Sequence, residues 1–354
     1  MKKEVSRKIT FINLIMACSI VLYHYYGFYN EVPMHQTWDR AIFDFFNYCA
    51  SRVGGLALGV FFLMSGFLLY NHCEDSKDMK KKIIKRIKSL GIPFIIWNVI
   101  VMIYLYVRTY MFPFKGMMDF IAKCTITPFD GPLWYIFALL LLLPIAYFII
   151  KLKKSKILSF IFLGLVTAIS FSIVVLGVFP KLENWKYYFA LERFLRYLPI
   201  YFIGAFAGMH CSEFVLKEKY KEIIMVIFAI VLYLISAIVC KRTTNPKLLW
   251  VLSYIVQPVL FWFAIPSKIM KWDIKCPFNC SFIMYAMHGP IILSIYETLV
   301  TWFIISDRTF YPIVIVLIKI AVVIAVYLTS VLITYFLKKI MKEKYFDMLS
   351  GGRI

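Results

Sequence analysis

Long apolar runs separated by short polar and basic clusters set the pattern of this chain. A helix crossing a hydrocarbon core about 30 Å thick needs about 20 apolar residues. Ten segments meet that length: roughly 9–29, 51–70, 92–111, 131–150, 157–179, 194–211, 222–240, 248–266, 279–304 and 310–337. The last two are long enough to tilt, or to continue as helix beyond the bilayer. The pattern predicts an all-α fold, a polytopic membrane bundle of about ten transmembrane helices. Residues 1–340 read as one transmembrane domain and 341–354 as a short cytoplasmic tail. The first run has a basic flank but no small-residue cleavage site, so it reads as a retained span rather than a signal peptide. The connections 30–50 and 112–130 are long enough to form more than turns, and 183–199 is amphipathic enough to lie along an interface.

Composition agrees with the pattern. Hydrophobic residues make up 62% of the 354, and mean hydropathy is +0.78. Soluble domains are about half apolar, so the chain reads as a multi-pass protein of the cell membrane. Net charge is +21, from 40 Lys and Arg against 19 Asp and Glu. In a soluble protein that excess would suggest nucleic acid, but no zinc-finger or RNA-binding signature accompanies it, and no nucleic-acid partner is expected. Basic residues gather in cytoplasmic loops of membrane proteins. With the N-terminus inside, the cytoplasmic segments hold about twice as many as the opposite side, which predicts both termini in the cytoplasm. Eight cysteines are scattered along the chain. Cys276 and Cys280 form only an isolated C-x-x-x-C, so neither a metal nor a disulfide framework is expected. Walker and Rossmann glycine patterns are missing, as is a clear inverted repeat of the transporter kind.

Within the spans, ionisable residues are the candidates for chemistry, because lipid exposure of such groups is costly. His24, in "SIVLYHYYGFYN", falls about 22 Å along the first span, in its outer third. His288, in "SFIMYAMHGPII", lies nearer the middle of the ninth span, and Pro290 after it leaves the carbonyl of Ala286 without its helical donor. A neutral imidazole both accepts and donates protons near neutral pH, which suits general-base activation of a hydroxyl. Hydrogen bonding between helices explains a membrane histidine as well, and residues alone leave both readings open. His35, His72 and His210 fall in loops or at helix ends and read as surface residues.

The loop "EDSKDMKKKIIKRIKSLGIP" places Lys81, Lys82, Lys85, Arg86 and Lys88 so that several share a helical face beneath the membrane. Such a face attracts anionic lipid, and equally the phosphates of a donor such as coenzyme A; charge alone favours topology or lipid. Ser65 and Gly66 in "VFFLMSGFLL" read as packing residues, and Trp134 with Tyr135 as interfacial anchors. Glu297 and Arg196 read as solvated charges at helix ends.

Taken in order, "IMACSIVLYHYY", "GVFFLMSGFLLY", "KRIKSLGIPF", "LWYIFALL", "RYLPIYFIGAFAG" and "SFIMYAMHGPI" resemble successive segments of the acyltransferase 3 family of integral membrane acyltransferases. The resemblance covers most of the chain. It implies a bundle of about ten helices that carries an acyl group from a cytoplasmic thioester to an outward-facing hydroxyl. No permanently bound cofactor is implied. Acyl-CoA, with acetyl-CoA foremost, would be the co-substrate, and the acceptor a polysaccharide or lipid-linked glycan at the membrane. His24 would be the catalytic base. Lys85, Arg86 and Lys88 would bind the donor phosphates. Asn13, Phe61, Phe62, Ser65, Gly66, Trp134, Tyr285 and His288 would line or support the pocket. The family usually carries Arg eleven residues before that histidine, where this chain has Asn13. Its two-arginine basic pattern is represented only by Lys85, Arg86 and Lys88, and lysine lacks the bidentate fork of arginine. The competing readings are a polysaccharide exporter or flippase, and an inactive relative of the family.

Overall fold

A computed structural model of the protein describes residues 3–178, 187–211, 219–267, 280–305 and 309–351. Cys276, the start of the amphipathic stretch 183–199 and the last residues of the tail lie outside the described residues. Among those described, nine helices are long and apolar enough to cross a membrane. They are Glu4–Tyr25, Arg40–Tyr70, Ser76–Thr109, Gly131–Lys154, Lys156–Val174, Tyr220–Arg242, Pro246–Ala264, Ser281–Ile304 and Pro312–Ile340. The expected span 194–211 belongs to a further helix, Tyr188–His210, whose first turns carry Glu192, Arg193 and Arg196 and dilute its apolar character. This helix runs unbroken through Pro199, so residues 188–199 are not a separate interfacial piece.

Two boundaries depart from the sequence pattern. The second helix begins at Arg40, not near 51, because polar residues of its first turns are held by side-chain partners: Arg40 pairs with Asp44, and Asn47 donates to Asn30. The third span is helical from Ser76, so the basic loop is itself part of the helix. Asp75 caps it by accepting from the amides of Lys77 and Asp78, each at 2.9 Å.

The chain divides into two compact units. The first comprises Met1–Asn13, Gly55–Ile87 and Ala138–Ile274. Its seam joins the second helix to Tyr188–His210 at glycines. A side-chain carbon at Gly66 would collide with the Tyr201 carbonyl oxygen, and one at Gly204 with that of Leu63. Small residues let membrane helices approach until their backbones touch, where van der Waals packing replaces the missing hydrophobic drive. Phe62 stacks on Tyr197 beside this seam, with centroids 5.3 Å apart. The helix Lys156–Val174 also packs along Tyr188–His210, and His210 Nε2 sits 2.9 Å from Ser159 Oγ. His210 is therefore a half-buried packing residue and not a surface one. Arg196, expected to be solvated, pairs with Glu192 and donates to the Tyr254 hydroxyl at 2.9 Å.

The second unit comprises Leu14–Gly54, Lys88–Phe137 and Lys275–Ile354. Its core joins Ala17, Val21 and Tyr25 of the first helix to Met284, Ile292 and Leu293 and to Val322 and Val326 of the last span. After that span a short helix, Glu343–Ser350, folds back on Ile92–Thr109, where Trp97 Nε1 donates to the Leu349 carbonyl at 3.0 Å. Gly351 ends it in the left-handed region, φ +77°, directly over the Ser89 carbonyl.

Candidate functional site

His24 occupies the last turn of the first helix, Lys3–Tyr25, and its side chain is exposed. The turn that follows is fixed from the last span. Lys319 is fully buried, and its Nζ donates to the Tyr26 carbonyl at 2.5 Å, to Asn30 Oδ1 at 2.7 Å and to Asn47 Oδ1 at 2.9 Å. Three acceptors match the three donors of an ammonium group. The helix end that presents His24 is thus anchored by a charge satisfied by neutral oxygens. In the sequence Lys319 is only a lone charge within the last apolar run, and its pairing with Asn30 and Asn47 depends on contacts far apart in sequence.

His288 faces His24 from the ninth span, with ring centroids 5.2 Å apart and planes inclined by 49°. The two histidines differ in setting. His288 is fully buried, at 0% exposure. Its Nδ1 lies 2.7 Å from the Tyr285 carbonyl and 3.2 Å from that of Met284. A carbonyl can only accept, so Nδ1 carries a proton, and in the neutral ring Nε2 keeps its lone pair. That Nε2 has no hydrogen-bond partner among the described residues.

The backbone explains the placement of His288. Helix Ser281–Met287 gives way to a π-helical turn, His288–Leu293, before α-helix resumes at Ser294. Pro290 cannot donate, and a π-turn is the local adjustment that accommodates the missing bond. Such bulges occur disproportionately at functional sites. Opposite this turn, the Tyr285 hydroxyl donates to the Pro132 carbonyl, and Tyr285 meets Tyr135 edge-on at 6.3 Å. Trp134, half-buried, opens the helix just after Pro132. Asp130, which sequence reading passed over, is fully buried beside the same turn. Its position just before "GPLWY" looks in sequence like that of an ordinary helix cap.

His24, His288, Tyr285 and Trp134 therefore share one unit. Asn13, Phe61, Phe62, Ser65, Gly66, Lys85 and Arg86 belong to the other, and Lys88 to the same unit as the histidines. Lys85 and Lys88 are exposed and Arg86 is half-buried. Lys82 leaves the expected basic face: its Nζ turns to the Leu69 carbonyl at 3.1 Å and to that of Asn71, closing the end of the second helix. Lys153 closes the same corner on Cys73 and Glu74. Phe62 and Gly66 are buried in the glycine seam, and Asn13, Phe61 and Ser65 are half-buried.

Comparison with curated proteins returns no match, and comparison with solved structures returns none. A family model described as an acyltransferase domain matches residues 9–338, nearly the whole chain. With nine apolar helices able to span a bilayer among the described residues, the chain belongs to the acyltransferase 3 family and is a multi-pass membrane acyltransferase that transfers groups other than aminoacyl.

Proposed function

We propose that the protein is an O-acyltransferase of the cell membrane, moving an acyl group, acetyl foremost, from cytoplasmic acyl-CoA to a hydroxyl of an extracytoplasmic polysaccharide or lipid-linked glycan. The observation that carries this reading is the unequal histidine pair, an exposed His24 ring packed at 5.2 Å on a fully buried His288. An exposed imidazole can meet a substrate, and a buried one held at Nδ1 by carbonyls is a fixed wall behind it.

In the reaction, His24 takes the proton of the acceptor hydroxyl as its oxygen attacks the thioester carbonyl. The tetrahedral adduct collapses, the carbon–sulfur bond breaks, and the leaving thiolate takes the proton back from the His24 imidazolium. The products are an ester and a free thiol. Lys85, Arg86 and Lys88 would hold the donor phosphates as point charges, with a fork only at Arg86. Asn13, Phe61, Phe62, Ser65 and Gly66 remain pocket candidates by resemblance, and the seam containing Phe62 and Gly66 accounts for those two residues structurally as well.

The test is mass analysis of surface glycans from cells with and without the protein. An acyl mass lost in its absence and restored by the wild-type chain supports the reading. Unchanged glycan masses, with the protein present in the membrane, refute it.

A further inference from the structure

Asp130 stands at the N-cap position of the Gly131–Leu133 turn that opens the Trp134–Ile149 helix, yet its side chain does not cap. An aspartate there ordinarily accepts from an amide of the first turn. Asp75, Ser155 and Asn245 of this chain all do so. Asp130 instead is 0% exposed, and neither carboxyl oxygen has a hydrogen-bond partner among the described residues. Burial holds the carboxyl well above the usual carboxylate range, which favours the protonated acid, with one donor and one acceptor side.

The loop is held firmly in this arrangement. Asn98 Oδ1 accepts from the Phe129 amide at 2.8 Å and from the Asp130 amide at 3.4 Å, while Asn98 Nδ2 donates to the Lys123 carbonyl at 3.0 Å. Tyr285, three residues before His288, clamps the Pro132 carbonyl. Asp130 Oδ1 is thereby brought within 3.9 Å of the point where a side-chain carbon on Gly289 would sit. Gly289 follows His288, whose Nε2 is another buried polar atom without a hydrogen-bond partner among the described residues. Buried polar groups are normally satisfied, and exceptions call for an explanation. Two complementary ones on adjoining segments, a donor–acceptor acid and a lone-pair nitrogen, match a hydroxylated ligand.

We propose that the Asp130 carboxyl and His288 Nε2 form a polar subsite for acceptor hydroxyls next to the one acylated, so that the acceptor is a polyol with neighbouring hydroxyls, of the pyranose kind. Nε2 accepts from one hydroxyl, and the carboxyl donates to or accepts from its neighbour. This inference rests on the O-acyltransferase reading above.

The test uses the full-length protein in lipid nanodiscs, with methyl β-glucopyranoside and 1-propanol as probes. Infrared difference spectra should contain a protonated-carboxyl band that is lost in Asp130→Asn. In the wild type the glucoside should shift that band and 1-propanol should not. Asp130→Asn keeps a donor and an acceptor and should bind the glucoside within about threefold of wild type. Asp130→Leu keeps neither and should bind it about tenfold more weakly. Gly289→Ala tests the same space without disturbing the carboxyl. Its methyl would stand 3.4 Å from Pro132 Cγ and 3.9 Å from Asp130 Oδ1, so the fold should survive while the subsite is crowded and binding falls. An unshifted wild-type band, or equal glucoside binding by wild type and Asp130→Leu, overturns the proposal. Acetyl transfer from acetyl-CoA to the glucoside is scored separately. Transfer without the band shift refutes the subsite alone, whereas a band shift without transfer supports polyol binding and refutes the acyl-transfer reading.

Discussion

His288 donates from Nδ1 to the Tyr285 carbonyl at 2.7 Å, which fixes its tautomer three residues along its own backbone. The ring presented to His24 therefore has a set orientation, and the two histidines should not be interchangeable. His24→Ala should lower acyl transfer by about 10²–10⁴-fold, the usual contribution of a general base, with expression and acyl-CoA binding nearly intact. His288→Ala should cost less in turnover. Single-turnover acyl transfer by purified protein decides the point, and near-wild-type rates for His24→Ala would sink the catalytic assignment.

Donor binding should depend on Lys85, Arg86 and Lys88. Charge-assisted hydrogen bonds contribute about 1.5–3 kcal/mol each, so neutralising all three should weaken acyl-CoA affinity by several orders of magnitude if each meets a phosphate. Acceptor affinity should change little. Equilibrium binding of acyl-CoA to correctly inserted protein is the measurement, and unchanged affinity would remove these residues from the donor site.

The expected orientation can be read by labelling. In a background without native cysteines, single cysteines at Lys77 and at Met118, both exposed, should react with an impermeant thiol reagent from opposite faces. Met118 should label in intact cells and Lys77 only after permeabilisation. Labelling of both positions in intact cells contradicts cytoplasmic termini.

At the glycine seam, Gly66→Ala and Gly204→Ala each push a methyl into a backbone carbonyl, which cannot rotate aside. Overpacking of this kind costs about 1–3 kcal/mol or more, so either variant should unfold at a clearly lower temperature. Gly164→Ala, whose added carbon meets nothing within 4 Å, is the control and should be neutral or slightly stabilising. Thermal unfolding in one detergent compares all three.

Lys319→Met should be more damaging than its apolar setting suggests. It removes a buried ammonium and takes a donor from the Tyr26 carbonyl and from the side-chain oxygens of Asn30 and Asn47, of which Asn30 keeps only the Asn47 amide. Each lost charge-assisted hydrogen bond costs about 1.5–3 kcal/mol. The expected outcome is a marked loss of thermal stability, with faster hydrogen exchange at residues 26–30. A stable variant with unaltered exchange would mean that Lys319 does not hold the His24 helix end.

Sequence by itself determined the class of fold, the near-complete set of spans and the family. Each rests on signals carried by local runs of the chain: about twenty apolar residues per crossing, and short motifs in register. His24 and His288 were legible for the same reason, since an ionisable residue inside an apolar run stands out against its neighbours. Tertiary structure alone decided which polar residues face one another. The second helix starts at Arg40 because side chains hold its polar first turns, and Lys82 leaves the basic face to close the second helix. Lys319 meets Tyr26 across 293 positions, and Asp130 looks like a helix cap until its side chain is seen buried without a described partner, beside the turn that carries His288. Such pairings depend on helix rotation and depth, and hydropathy along a chain fixes neither.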